Sequence, residues 1–64
     1  MKIGDLVRYD TTRYENAAEL GVVIKVYYTA GRLVARWREM VDISFPYGVV
    51  ADDSYEFEVI SENR

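Results

Sequence analysis

The sequence predicts a small all-β protein, about five short strands closed into a barrel with a long first loop. Three observations carry that prediction. Residues 20–38 hold two runs of strand-forming residues joined through Thr29-Ala30-Gly31-Arg32, which is the pattern of a β-hairpin. Turn residues then divide the rest of the chain into short apolar segments, among them Gly4-Asp5, Pro46-Tyr47-Gly48 and Asp52-Asp53-Ser54. Finally, 64 residues are too few for a two-layer sandwich.

In the hairpin, Leu20, Val22, Ile24, Val26 and Tyr28 alternate with Gly21, Val23, Lys25 and Tyr27. A period of two places the first set on one face, and that face is assigned to the core. Val22 and Val23 are both apolar, so a bulge could swap their faces. On the returning strand Leu33, Ala35 and Trp37 alternate with Val34, Arg36 and Arg38. That assigns Trp37 to the core and the arginines to the outside. Gly31 supplies the freedom to take positive φ that a short loop needs.

Before the hairpin, Leu6, Val7 and Tyr9 form a first strand after the Gly4-Asp5 turn. The stretch from Asp10 to Glu19 lacks a strand pattern. Thr12 and Glu15 have capping-box spacing and Gly21 stands where a helix would stop, yet barely two turns make a marginal helix. A long loop with at most one helical turn is expected over residues 12–20. After the hairpin, Glu39-Met40-Val41 leads out, and Asp42 to Phe45 ends at Pro46, which cannot donate to a ladder. Val49-Val50-Ala51 is a short strand, Asp52 to Tyr55 a turn or single helical turn, and Phe57 to Ile60 the last strand. Residues 61–64 are expected to fray. The whole chain is one domain.

Composition narrows the chemistry. Neither Cys nor His occurs, so there is no disulfide, no thiol nucleophile and no imidazole base. A chain of this length buries only about 60% of its unfolded surface, so burial alone must hold it together. No apolar run approaches the roughly 20 residues of a membrane span, and Met1-Lys2-Ile3-Gly4-Asp5 lacks the apolar core of a signal peptide. A cytoplasmic protein is expected. The net charge of −3 is unevenly spread: residues 1–38 hold seven basic and four acidic side chains, residues 39–64 one basic and seven acidic. Adjacent strands that balance each other are the plain explanation. A basic strip of Lys25, Arg36 and Arg38 is the sharper one.

Gly4-Asp5-Leu6-Val7-Arg8, Gly21 to Val26, Val34-Ala35-Arg36-Trp37 and Phe57-Glu58-Val59-Ile60 together resemble small SH3-like barrel proteins of the kind encoded by tailed bacteriophages, cyanophages among them. The resemblance covers nearly the whole chain and implies a five-stranded SH3-like barrel. It implies no particular activity, because this barrel hosts many. The aromatic Ala-Leu-Tyr-Asp-Tyr opening of peptide-binding SH3 domains is missing, so poly-proline recognition is not implied. In SH3-like barrels the first loop lies near the segment before the last strand, which would bring Tyr14, Tyr47 and Tyr55 together with Glu15 and Glu19 on their rim.

Site chemistry points the same way. Asp52, Asp53, Glu56 and Glu58 are close in sequence, but they read as a solvated turn and strand face rather than a catalytic pair. Their spacing fits no calcium loop, and the scattered glycines make no phosphate cradle. No cofactor, metal or small-molecule substrate is expected. Six Tyr, two Phe and one Trp exceed what one small core can enclose, which leaves aromatic rings for an outer contact surface. Phe45 and Phe57 are assigned to the core. The expectation is a non-catalytic protein-interaction or structural accessory module, phage-encoded, in the host cytoplasm or virion. Its partner is another protein or a second copy, with Tyr14, Glu15, Glu19, Tyr47 and Tyr55 making the contact. The alternative is a nucleic-acid-binding barrel of KOW or Tudor type, with Lys25, Arg32, Arg36 and Arg38 on phosphates and Tyr27 stacking a base. Net acidity disfavours it.

Overall fold

The computed structural model describes residues 1–10, 18–30 and 37–63. They form one antiparallel sheet of five strands: β1 (Leu6–Tyr9), β2 (Gly21–Ala30), β3 (Trp37–Phe45), β4 (Gly48–Asp53) and β5 (Phe57–Ser61). A 3-10 turn, Ser54–Glu56, separates the last two. Strand order is β4-β3-β2-β1-β5, so β5 returns to pair with β1. No α-helix occurs among the described residues, and none is long and apolar enough to cross a membrane.

The sheet is curled but its ladder does not close. β4 and β5 are its two edges and are not paired with each other, in place of the closed barrel expected from the sequence. In a flat sheet β3 and β5 would lie about 14 Å apart, three strand spacings. The rings of Phe45 and Phe57 are nonetheless 6.3 Å apart. Curling brings Val7, Val23, Val41, Ile43, Phe45 and Phe57 into one buried cluster, with Met1, Tyr9, Val26 and Val50 packed against it. The core assignment of Phe45 and Phe57 holds.

A bulge decides which face of β2 is buried. Val23 pairs with Ile43 and Lys25 with Asp42, so Ile24 is the extra residue. Val23 is therefore buried before the bulge and Val26 packs inward after it, whereas Leu20, Val22 and Ile24 are exposed. The face expected to be buried is thus outward over its first half. Gly21 belongs to the inward set because Phe45 passes over it: a Cβ there would fall within 2.9 Å of the Phe45 ring and onto Ile43.

The hairpin is longer than its sequence pattern. Thr29 and Ala30 are paired with Arg38 and Trp37 rather than forming the turn, and β3 continues unbroken to Phe45. The expected strand over Leu33 to Arg36, the Gly31 turn and the helical turn near Thr12 lie outside the described residues. Trp37 corrects the core assignment. It is in phase with Val41 and Ile43 but 71% exposed, because β4 pairs β3 only as far as Met40 and the hairpin overhangs the core.

Two turns are set by positive-φ glycines, Gly4 (φ 93°) before β1 and Gly48 (φ 137°) after the Pro46-Tyr47 turn. Near the end of the described chain, Asn63 bonds back to Lys2, Ile3 and Asp5. The Asn63 N–H donates to Asp5 at 2.8 Å, its side-chain amide donates to the Ile3 carbonyl at 2.9 Å, and its own carbonyl accepts from Lys2 Nζ at 2.7 Å.

Candidate docking surface

Phe45 ends β3 pointing into the core, and the Pro46-Tyr47 turn folds the next aromatic back over it. The two rings are parallel within 6° at a centroid distance of 5.0 Å. Tyr9 continues the stack at 5.9 Å from Phe45 and packs against Phe57 at 4.5 Å. Tyr47 is therefore held by a ring that is itself locked in the core, while its residue remains 63% exposed. The inner ring pairs, Tyr9 with Phe45 and Tyr9 with Phe57, contribute about 0.5–1.5 kcal/mol each beyond their buried area, and the solvent-exposed Tyr47 pair contributes less.

Carboxylates surround the inner end of the stack. The Tyr9 hydroxyl donates to Asp52 Oδ2 at 3.4 Å. Burial holds the Tyr9 phenol above its usual pKa, and the negative charges of Asp52 and Glu56 add to the shift. Glu56 is buried in the 3-10 turn, and its carbonyl accepts the Asp10 N–H at 3.0 Å. That bond fastens the turn carrying Tyr55 to the end of β1. Tyr55 is 57% exposed.

Of the residues expected to make the partner contact, Tyr47 and Tyr55 are exposed on the turns that flank β4, and Glu19 is exposed just before β2. Tyr14 and Glu15 lie outside the described residues, so their convergence with Tyr47 and Tyr55 is not part of what the structure places. Sequence reasoning missed Tyr9 and the role of Phe45 as a pedestal. The signal was present in Phe45-Pro46-Tyr47, two aromatics either side of a turn-forming proline.

The basic strip looks different once folded. Lys25, Tyr27 and Arg38 do share the outer face through the β2–β3 register, but acids are interleaved with them. Arg38 is paired with Asp53 on β4. Lys25 sits 5.2 Å from the centre of the Tyr27 ring and opposite Asp42, which accepts the Tyr27 hydroxyl at 3.1 Å. Burial and this bond raise the Tyr27 phenol pKa. Arg32 and Arg36 lie outside the described residues. The clustered acids are likewise separated: Asp53 goes to Arg38, Glu58 to Arg8 at 2.5 Å and Asp52 to Tyr9. Among the described residues no three potential metal ligands gather. The chain matches no protein-family model, no curated protein and no solved structure.

Proposed function

We propose that this chain is a non-catalytic protein-interaction or structural accessory module, an SH3-like fold that docks a partner protein through Tyr47 and Tyr55. The observation that carries the proposal is the exposed Tyr47 ring stacked on the core ring of Phe45. A Tyr fixed in this way presents contact area at little cost in conformational entropy, as interface aromatics do. The strand order and a 3-10 turn before the last strand support the SH3-like reading. The resemblance to small phage-encoded barrels suits an accessory role of this kind.

The test is a double variant, Tyr47→Ala with Tyr55→Ala, compared with the wild-type chain as bait in extracts of the native host. A partner held by the wild type and lost by the variant, with thermal melting of the two alike, is the expected result. Equal capture by both would count against the surface, and collapse of the variant's fold would show that these rings belong to the core.

A further inference from the structure

We infer that the free edge of β4 is a self-pairing surface, which joins two copies of this chain by antiparallel backbone hydrogen bonds about a two-fold axis at Val50. This surface is distinct from the Tyr47 and Tyr55 patch and does not depend on it.

β4 is the last strand of the sheet and pairs with β3 from Phe45↔Gly48 to Met40↔Asp53. Along an antiparallel strand, residues that bond the neighbour alternate with residues whose N–H and C=O point away from it. The Asp53 N–H donates to the Asp52 carboxylate at 2.8 Å, so Asp53 is in the outward phase. Val49 and Ala51 share that phase. Among the described residues no backbone group from outside the ladder reaches either of them. Their side chains are exposed, Val49 at 61%.

Natural edges are blunted by lysine, proline, inward charge or a bulge. Gly48 to Ala51 has none of these, the inward charge of β4 is confined to Asp52 at its far end, and the register with β3 is unbroken. Charge then selects the occupant. The acids stand at one end only, Asp52 and Asp53. A second copy laid antiparallel sets its Asp52 opposite Gly48 and keeps the two acidic ends apart, which is the isologous arrangement of a two-fold dimer. An axis at Val50 pairs Val49 with Ala51 of the second copy, and the reverse, without calling on the Asp53 N–H that is already capped. The outer faces also match. Leu6, Val22, Ser44 and Val49 are direct cross-strand partners, so they form one uncharged row across four strands. Ala51 of the second copy extends that row.

Sedimentation velocity of the full chain at increasing concentration tests the inference, together with amide hydrogen exchange at both ends of the range. A monomer–dimer equilibrium is expected, with exchange at the Val49 and Ala51 amides slowed only in concentrated protein. Val49→Lys, at an exposed side chain, is expected to abolish the dimer while melting like wild type in protein dilute enough for both to be monomers. Ala51→Pro removes an N–H that β3 does not use and is expected to do the same. Should the proline variant fail to fold, Val49→Lys decides. The Tyr47→Ala, Tyr55→Ala variant is expected to dimerise like wild type, which separates this edge from the docking surface. A monomer at every concentration overturns the inference, as does a dimer that forms equally well in Val49→Lys with both amides unslowed. A wild-type monomer whose edge takes up only an added extended peptide overturns it too.

Discussion

Asp5 is 2% exposed, and its carboxylate accepts the N–H groups of Asn63 at 2.8 Å and Lys2 at 2.9 Å. Those bonds, the one from Asn63 foremost, hold its pKa below the usual carboxylate value. A carboxyl lowered in this way contributes stability above its unfolded pKa and loses it as pH falls through the folded one. Asp5→Asn is therefore expected to melt below wild type at neutral pH, with the gap narrowing in acid. Melting curves at the two pH values check this, and a gap of constant size would contradict it. Trp37 makes a second expectation at this scale. As the chain's one tryptophan, exposed at the hairpin overhang, it should show water-like, red-shifted fluorescence that barely changes on unfolding. Blue-shifted native emission would return it to the core.

Phe45 and Tyr47, two residues apart around one turn, have opposite parts at the scale of the element. Phe45→Ala is expected to cost about 3–5 kcal/mol, the usual penalty for emptying a buried aromatic site. Tyr47→Ala is expected to stay within about 0.5 kcal/mol of wild type, as exposed positions do. Urea unfolding of the two variants measures both, and a large loss for Tyr47→Ala would make that ring a core residue. The strands themselves were legible wherever alternation was strong, as in Leu6 to Tyr9 and Phe57 to Ile60. Register was not legible where alternation broke down. Trp37-Arg38-Glu39-Met40 has no apolar period, so the register of β3 there is set by its pairing with β2 instead. A bulge was foreseeable from neighbouring Val22, Val23 and Ile24, which fit either face, but its position at Ile24 was not. Tyr47 and Tyr55 were readable as surplus aromatics. The stack on Phe45 was not, since it needs the turn's geometry.

At the scale of the molecule, the lopsided charge resolves into pairs between the basic first part and the acidic last part, Arg8 with Glu58 and Arg38 with Asp53. Such pairs form because β1 lies beside β5 and β3 beside β4. The amino-terminal ammonium adds a contact to Glu39 at 2.9 Å, which lowers that carboxyl's pKa despite partial burial. The aromatic cluster, in which Phe45 of β3 meets Phe57 of β5, holds an open sheet in a curl and gives the exposed Tyr47 a rigid base. Proton–proton nuclear Overhauser contacts between assigned aromatic rings test that arrangement most directly. Cross-peaks from Phe45 to both Tyr47 and Phe57 are expected, joining three rings from β3, its following turn and β5. Their absence, with Phe45 and Phe57 resolved and assigned, would mean a flatter sheet with no pedestal for Tyr47.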